Sequence, residues 1–196
     1  MPNWCMNILT VYGPKDSVDA MSRQMKRASE FADAGLLSTF VIPAYDEGKT
    51  NWYSAHLEMW GTKWDVPYAE VNGDLEPLVV DEDSSLCLRF DTAWSPPTNW
   101  LMYLTELYPE LFFELRFQED GMQFAGVMVG AKGVSAVQDF DIDYDLDVDS
   151  VPGDDKWEAY EWWIEEQMMA ATAAAEQALE DEIRMREQAL SMMGDD

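Results

Sequence analysis

The alternation of apolar and polar positions divides the chain into short extended runs and helical stretches. Asn7 to Tyr12 is an apolar run stopped by Gly13-Pro14, which predicts a strand and a breaker. Ser17 to Ser29 sets Val18, Met21, Met25 and Ala28 on one helical face, with Ser17 as the expected N-cap. Phe40-Val41-Ile42 predicts a brief extended piece before Pro43, and Tyr68 to Val71 another. Asn51 to Trp60 predicts a helix capped by Asn51 and ended by Gly61. Leu86 to Trp94 predicts a strand, Thr98 to Tyr108 a helix with Trp100, Leu101, Leu104 and Leu107 on its stripe. Leu111 to Phe117 and Met122 to Val129 predict two strands joined through Asp120-Gly121, an Asp-Gly hairpin signal.

The sharpest pattern is Asp139 to Asp149. Aspartate stands at 139, 141, 143, 145, 147 and 149, and Phe140, Ile142, Tyr144, Leu146 and Val148 fill the gaps. A period of two predicts a strand with one apolar face on a core and one acidic face, its carboxylates about 6.6 Å apart. After the break at Val151-Pro152-Gly153, the chain from Lys156 to Met193 holds neither proline nor glycine. That predicts a helix about 57 Å long, docked through Trp157, Tyr160, Trp162, Trp163, Ile164 and Met168 and projecting at its alanine-rich end. The expected division is an α+β domain over residues 1–150 and a long acidic helix over 151–196.

Charge changes the picture most. The 196 residues carry 39 acidic and 12 basic side chains, a formal net charge of −27. Residues 139–196 hold 19 acidic residues against 3 basic ones, a net −16, so over half of the excess lies in the last third of the chain. A protein held by phosphate contacts needs a basic face, so direct nucleic-acid binding is excluded, as is binding to an anionic membrane surface. No run reaches the length of a membrane span and no secretory leader opens the chain, which leads to a cytoplasmic expectation with reduced thiols. Cys5 and Cys87 both sit in apolar runs and are expected to be inert core thiols.

Three blocks carry a resemblance. They are Met1-Pro2-Asn3-Trp4-Cys5-Met6-Asn7, Trp60-Gly61-Thr62-Lys63-Trp64-Asp65 and Phe90-Asp91-Thr92-Ala93-Trp94-Ser95-Pro96-Pro97, with Phe124-Ala125-Gly126 following. Over roughly residues 1–130 the chain resembles the YubB ferredoxin-like domain family of phage and plasmid proteins. The resemblance implies a ferredoxin-like α+β sandwich of mobile-element origin, to which the acidic strand and the long C-terminal helix are added. That family has no assigned function, so the resemblance supplies no catalytic residue.

The candidate chemistry divides in two. Asp139, Asp141, Asp143, Asp145, Asp147 and Asp149, together with Glu158, Glu161, Glu165 and Glu166, form a candidate partner-binding surface that imitates a nucleic-acid backbone. The partner would be a basic host protein, nucleic-acid-handling or defensive; a charged edge that resists aggregation is the plainer reading of the same residues. His56, Trp60, Lys63, Trp64, Asp65, Trp94 and Ser95 form the candidate ligand pocket of a binding protein or an enzyme, for a nucleotide or a sugar, against the plainer reading of aromatic residues filling a core. No catalytic residue, no cofactor and no metal site is expected. A Ser95-His56-Asp91 triad lacks the glycine pattern of a nucleophile elbow, and the aspartates lack the glycine and glutamate of a calcium loop. The alanines at 170, 171, 173, 174 and 175 leave homo-oligomerisation through the long helix as a further expectation.

Overall fold

The computed structural model describes residues 2–44, 51–73, 75–80, 83–145, 152 and 156–193. Six strands form one antiparallel sheet in the order β2-β3-β1-β4-β5-β6: β1 (Trp4–Pro14), β2 (Leu78–Val80), β3 (Asp83–Ala93), β4 (Phe112–Glu119), β5 (Phe124–Ala131) and β6 (Val134–Asp141). The helices are α1 (Lys15–Ser29), α2 (Trp52–Trp60), α3 (Thr98–Leu107) and α4 (Lys156–Met193). The run β1-α1-β2-β3-α3-β4, with β1 between β3 and β4, is the βαββαβ arrangement of a ferredoxin-like fold. β5 and β6 widen the sheet by two hairpins, and α2 lies in the long connection between α1 and β2.

The period-two alternation of the strands creates two cores, one on each face. Leu9 and Val11 of β1, Leu86, Leu88 and Phe90 of β3, and Phe113, Leu115 and Phe117 of β4 pack with Val18, Met21 and Met25 of α1 and Trp100, Leu101 and Leu104 of α3. On the opposite face, Ala125, Val127 and Val129 of β5 and Val134 of β6 pack with Ile164, Met168, Ala171, Ala175 and Leu179 of α4. α4 covers only the β5–β6 half of that face. Over β1 the same face stays open, and Trp4, Met6 and Tyr12 are each between 44% and 50% exposed.

Several expectations give way to tertiary pairing. Phe40-Val41-Ile42 is turn and coil, and Tyr68–Glu70 is a short 3-10 turn, because neither finds a strand to pair with. α1 starts at Lys15 behind Pro14, so Ser17 lies inside its first turn and makes no cap. Asn51 does cap α2, its Oδ1 accepting from the Ser54 N–H at 2.8 Å, and Gly61 ends it in the left-handed conformation. Asp120-Gly121 does not form a two-residue hairpin turn. The β4–β5 loop is longer, its left-handed residue is Gln123 (φ 62°), and the buried Glu119 carboxylate accepts from the Gly121 and Met122 amides. The tight turn is Lys132-Gly133, with φ of 53° and 74°; two left-handed residues in succession make a type I′ hairpin that launches β6.

The acidic strand is shorter and starts earlier than its pattern predicts. β6 ends at Asp141, opposite Phe124, where β5 begins and the ladder has no further partner. Ile142 donates its N–H to the Gln123 carbonyl, and Asp143 Oδ1 accepts from the Asp145 N–H, so the chain turns away. Asp147 and Asp149 lie outside the described residues. α4 has the predicted limits but not the predicted projection. Burial continues to Leu179, Ile183 packs on the second core, and Lys132 reaches Glu187 while Arg186 donates to the Gly133 carbonyl. Ala171 and Ala175 face the sheet of their own chain; Ala170, Ala173 and Ala174 are exposed.

Candidate interaction surface

The acidic side chains occupy two separate surfaces. Across the β5–β6 ladder, Ala125 opposes Phe140 and Val129 opposes Ala136, and these residues face α4. Gly126 and Phe124 oppose Asp139 and Asp141, which therefore point to the α1–α3 side of the sheet. The carboxylates of Glu158, Glu161, Glu165 and Glu166 lie on the solvent side of α4, over the other face. So the strand row and the helix acids do not form one continuous ladder. Asp139, Asp141, Asp143 and Asp145 are all exposed.

Neutralisation differs along α4. In its last turns Arg184 pairs with Asp181, Arg186 with Glu182 and Lys132 with Glu187. Near its start Glu161, Glu165 and Glu166 have no ion pair among the described residues. Between that start and the β4–β5 loop lies a groove of about 570 Å³, lined by Asp120, Tyr144, Trp157, Tyr160, Glu161 and Glu165 among others. Tyr144 stacks on Tyr160, and its hydroxyl donates to Asp120 Oδ1 at 3.1 Å. Burial first, and then hydrogen bonding with Tyr160 and Asp120, raises the Tyr144 phenol above its ordinary range; burial also raises Tyr160. Asp120, Tyr144, Trp157 and Tyr160 were not among the sequence candidates. The sequence signal for two of them was Trp157 and Tyr160 set among Glu158, Glu161 and Glu165 at helical spacing.

The tryptophan-rich segments divide between architecture and surface. Trp60 is 2% exposed and donates Nε1–H to the Val41 carbonyl, so it belongs to the core. His56 packs on Trp60 at 4.3 Å between ring centres and lies 2.8 Å from the Lys63 carbonyl; that bond fixes its proton on Nδ1. Ser95 donates to the Gly61 carbonyl at 2.6 Å, so it joins β3 to α2 and is not brought to His56. Asp65 accepts from the Leu37, Ser38 and Val66 amides at 2.8, 3.1 and 2.8 Å. Lys63 lies over the Trp64 ring, 4.5 Å from its centre, a cation–π contact. Trp64 and Trp4, 6.3 Å apart, line a cavity of about 220 Å³ with Asp91. Trp94 is exposed and carries φ of 74°, strained for a bulky residue. Among the sequence candidates, Trp64 and Asp65 line that cavity, and Trp4 and Asp91 join them from outside that set.

Cys5 is buried, and burial together with the Glu119 charge pushes its thiol up to about 12, where it is inert. Cys87 is exposed on the open face of β3, against the expectation of a core position, because odd-numbered residues of that strand point away from α1 and α3. Among the described residues no group of three or more histidine, cysteine, aspartate or glutamate side chains is placed to hold a metal ion, and no helix is long and apolar enough to cross a membrane.

No curated protein matches the chain. The crystal structure of a protein Api92 from Yersinia pseudotuberculosis aligns over 68% of this chain and 95% of that one, at 9% identity and a TM-score of 0.42. The family match begins later than the resemblance read over residues 1–130 and runs through β6 into α4, so the acidic strand and the first part of the long helix lie inside it. Residues 76–170, just under half of the chain, match the family model of the ferredoxin-like domain in Api92-like protein.

Proposed function

We propose that the protein is a non-enzymatic accessory protein of a phage or plasmid that binds and inhibits a basic host protein, one that handles nucleic acid or serves in defence. The observation that carries this reading is the acid surface near the start of α4, where Glu161, Glu165 and Glu166 stand exposed without lysine or arginine partners among the described residues. A field of that sign on a rigid, docked helix steers a basic groove toward it and is weakened by salt. The aspartates of β6 present a second anionic edge on the opposite face, so a partner would wrap the edge of the sheet instead of lying along one flat ladder. The mobile-element origin rests on the resemblance to the YubB family.

The test is capture from nuclease-treated host lysate by the tagged full chain at low and high salt, beside a variant carrying Glu161→Gln, Glu165→Gln and Glu166→Gln. The reading expects nucleic-acid-binding proteins retained at low salt, released by high salt and lost with the variant. Recovery of none would sink it.

A second reading is favoured by the Trp4–Trp64 cavity with Asp91 and the strained Trp94 beside it. Here the protein binds a nucleotide or sugar ring by stacking. A thermal-shift screen of such ligands, with Trp4→Ala and Trp64→Ala as controls, separates the two: a shift that both variants lose supports the second reading.

A further inference from the structure

We propose that the groove between the start of α4 and the β4–β5 loop is a receptor for arginine side chains of a basic protein segment. The inference rests on the reading of the chain as a binder of basic partners and places that recognition in one concavity. Three aromatic rings supply its walls. Tyr144 and Tyr160 stack with planes 17° apart and centres 5.2 Å apart, and Trp157 stands 74% exposed beside them. Asp120, Glu161 and Glu165 line the same space, and none of them pairs with a lysine or arginine among the described residues. Its volume of about 570 Å³ is in the range of clefts that enclose ligands. Arg116, on the smaller concavity that adjoins it under α4, is already paired with Glu114 at 2.8 Å, so it does not fill the groove's charge requirement.

The chemistry of the lining selects the occupant. Aromatic faces and carboxylates attract cations and offer nothing to a phosphate. A guanidinium is flat enough to stack on a ring while its N–H fork reaches a carboxylate with two bonds; an ammonium satisfies the charge but not the stacking. The two phenols of the wall add no donor to it. Tyr144 gives its hydroxyl proton to Asp120, and Tyr160 Oη is enclosed, so neither hydroxyl offers a proton to the groove. A donor-rich planar cation complements such a wall.

The experiment uses the full chain and three labelled peptides, identical but for two central arginines, lysines or citrullines between glycine and serine, read by fluorescence anisotropy at low salt. The arginine peptide is expected to bind several-fold tighter than the lysine peptide, and the uncharged citrulline peptide not to bind. Trp157→Ala and Asp120→Asn are each expected to weaken the arginine peptide by about tenfold. A control with Glu176→Gln and Glu180→Gln, exposed acids further along α4, should change it by less than about twofold although it removes two charges where Asp120→Asn removes one. Circular dichroism of every variant confirms the fold. Equal losses in control and groove variants, or equal binding of arginine and lysine peptides, overturn the groove while leaving a diffuse acidic binder standing. Failure of every peptide to bind overturns the groove, and the lysate capture then decides the broader reading separately.

Discussion

Tyr160 of α4 lies nearly parallel to Tyr144, with ring centres 5.2 Å apart, and so clamps the first turns of the long helix onto the segment that leaves β6. Tyr144 is itself held by Asp120 of the β4–β5 loop. One stacked pair therefore ties three parts of the chain together at the mouth of the groove.

This pair makes the fold sensitive to alkali. Burial raises both phenols above their unfolded value near 10, and burial pushes Tyr68 up to about 12. A folded state that holds the proton more tightly is stabilised below the unfolded pKa and loses that advantage as pH rises through the interval above it. Unfolding free energy is expected to fall steadily from about pH 10 to pH 12. Urea titrations across that range, with absorbance at the phenolate band, check it; Tyr144→Phe should flatten part of the slope.

Asp65 belongs to the architecture, whatever the neighbouring cavity binds. Its carboxylate accepts from the amides of Leu37, Ser38 and Val66, pinning the turn after α1 to the segment before the 3-10 turn. Removing a charged acceptor leaves those donors unmatched, so Asp65→Ala is expected to lower the unfolding free energy by about 2–3 kcal/mol. A denaturation midpoint within error of the parent would refute this role.

The alanine row of α4 distinguishes docking from self-association. Ala175 is fully buried against β5 and β6, whereas Ala174 is exposed. Leucine at 175 must push the helix from the sheet and is expected to cost about 1–3 kcal/mol; leucine at 174 should cost little. Equal small effects at both positions would show that the helix is not seated as described.

Salt should act in opposite directions on stability and on binding. A net charge of −27 repels itself in the compact state, and screening relieves that repulsion. The melting temperature is expected to rise between about 20 and 500 mM sodium chloride, as the Debye length falls through about 10 Å near 0.1 M. The same series should weaken capture of a basic partner. A melting temperature that falls with salt would mean that the surface charges are mutually stabilising.

Local chemistry made much of this legible. The caps of α2 followed from Asn51 and Gly61, whose short-range bonds need no tertiary partner. The limits of α4 followed from the absence of proline and glycine between Lys156 and Met193. The Trp-rich blocks were less readable, because burial and hydrogen bonding separate Trp60 and His56 from Trp64 and Trp94 in ways that adjacency does not express. The groove was hidden because Asp120 and Tyr144 join Trp157 and Tyr160 only across the fold.

By itself the sequence determined the periodicities and the charge balance: which residues of β6 share a face, that the last helix is continuous, and that over half of the negative excess lies in the last third of the chain. Only tertiary structure decided where β6 stops, since a strand lasts no longer than the neighbour it bonds to, and Phe124 is the last residue β5 offers. It also decided that Asp139 and Asp141 and the α4 glutamates look to opposite sides. Apolar residues of β5 on both faces require cover from both sides, and α4 supplies it on the side its own alanines fit.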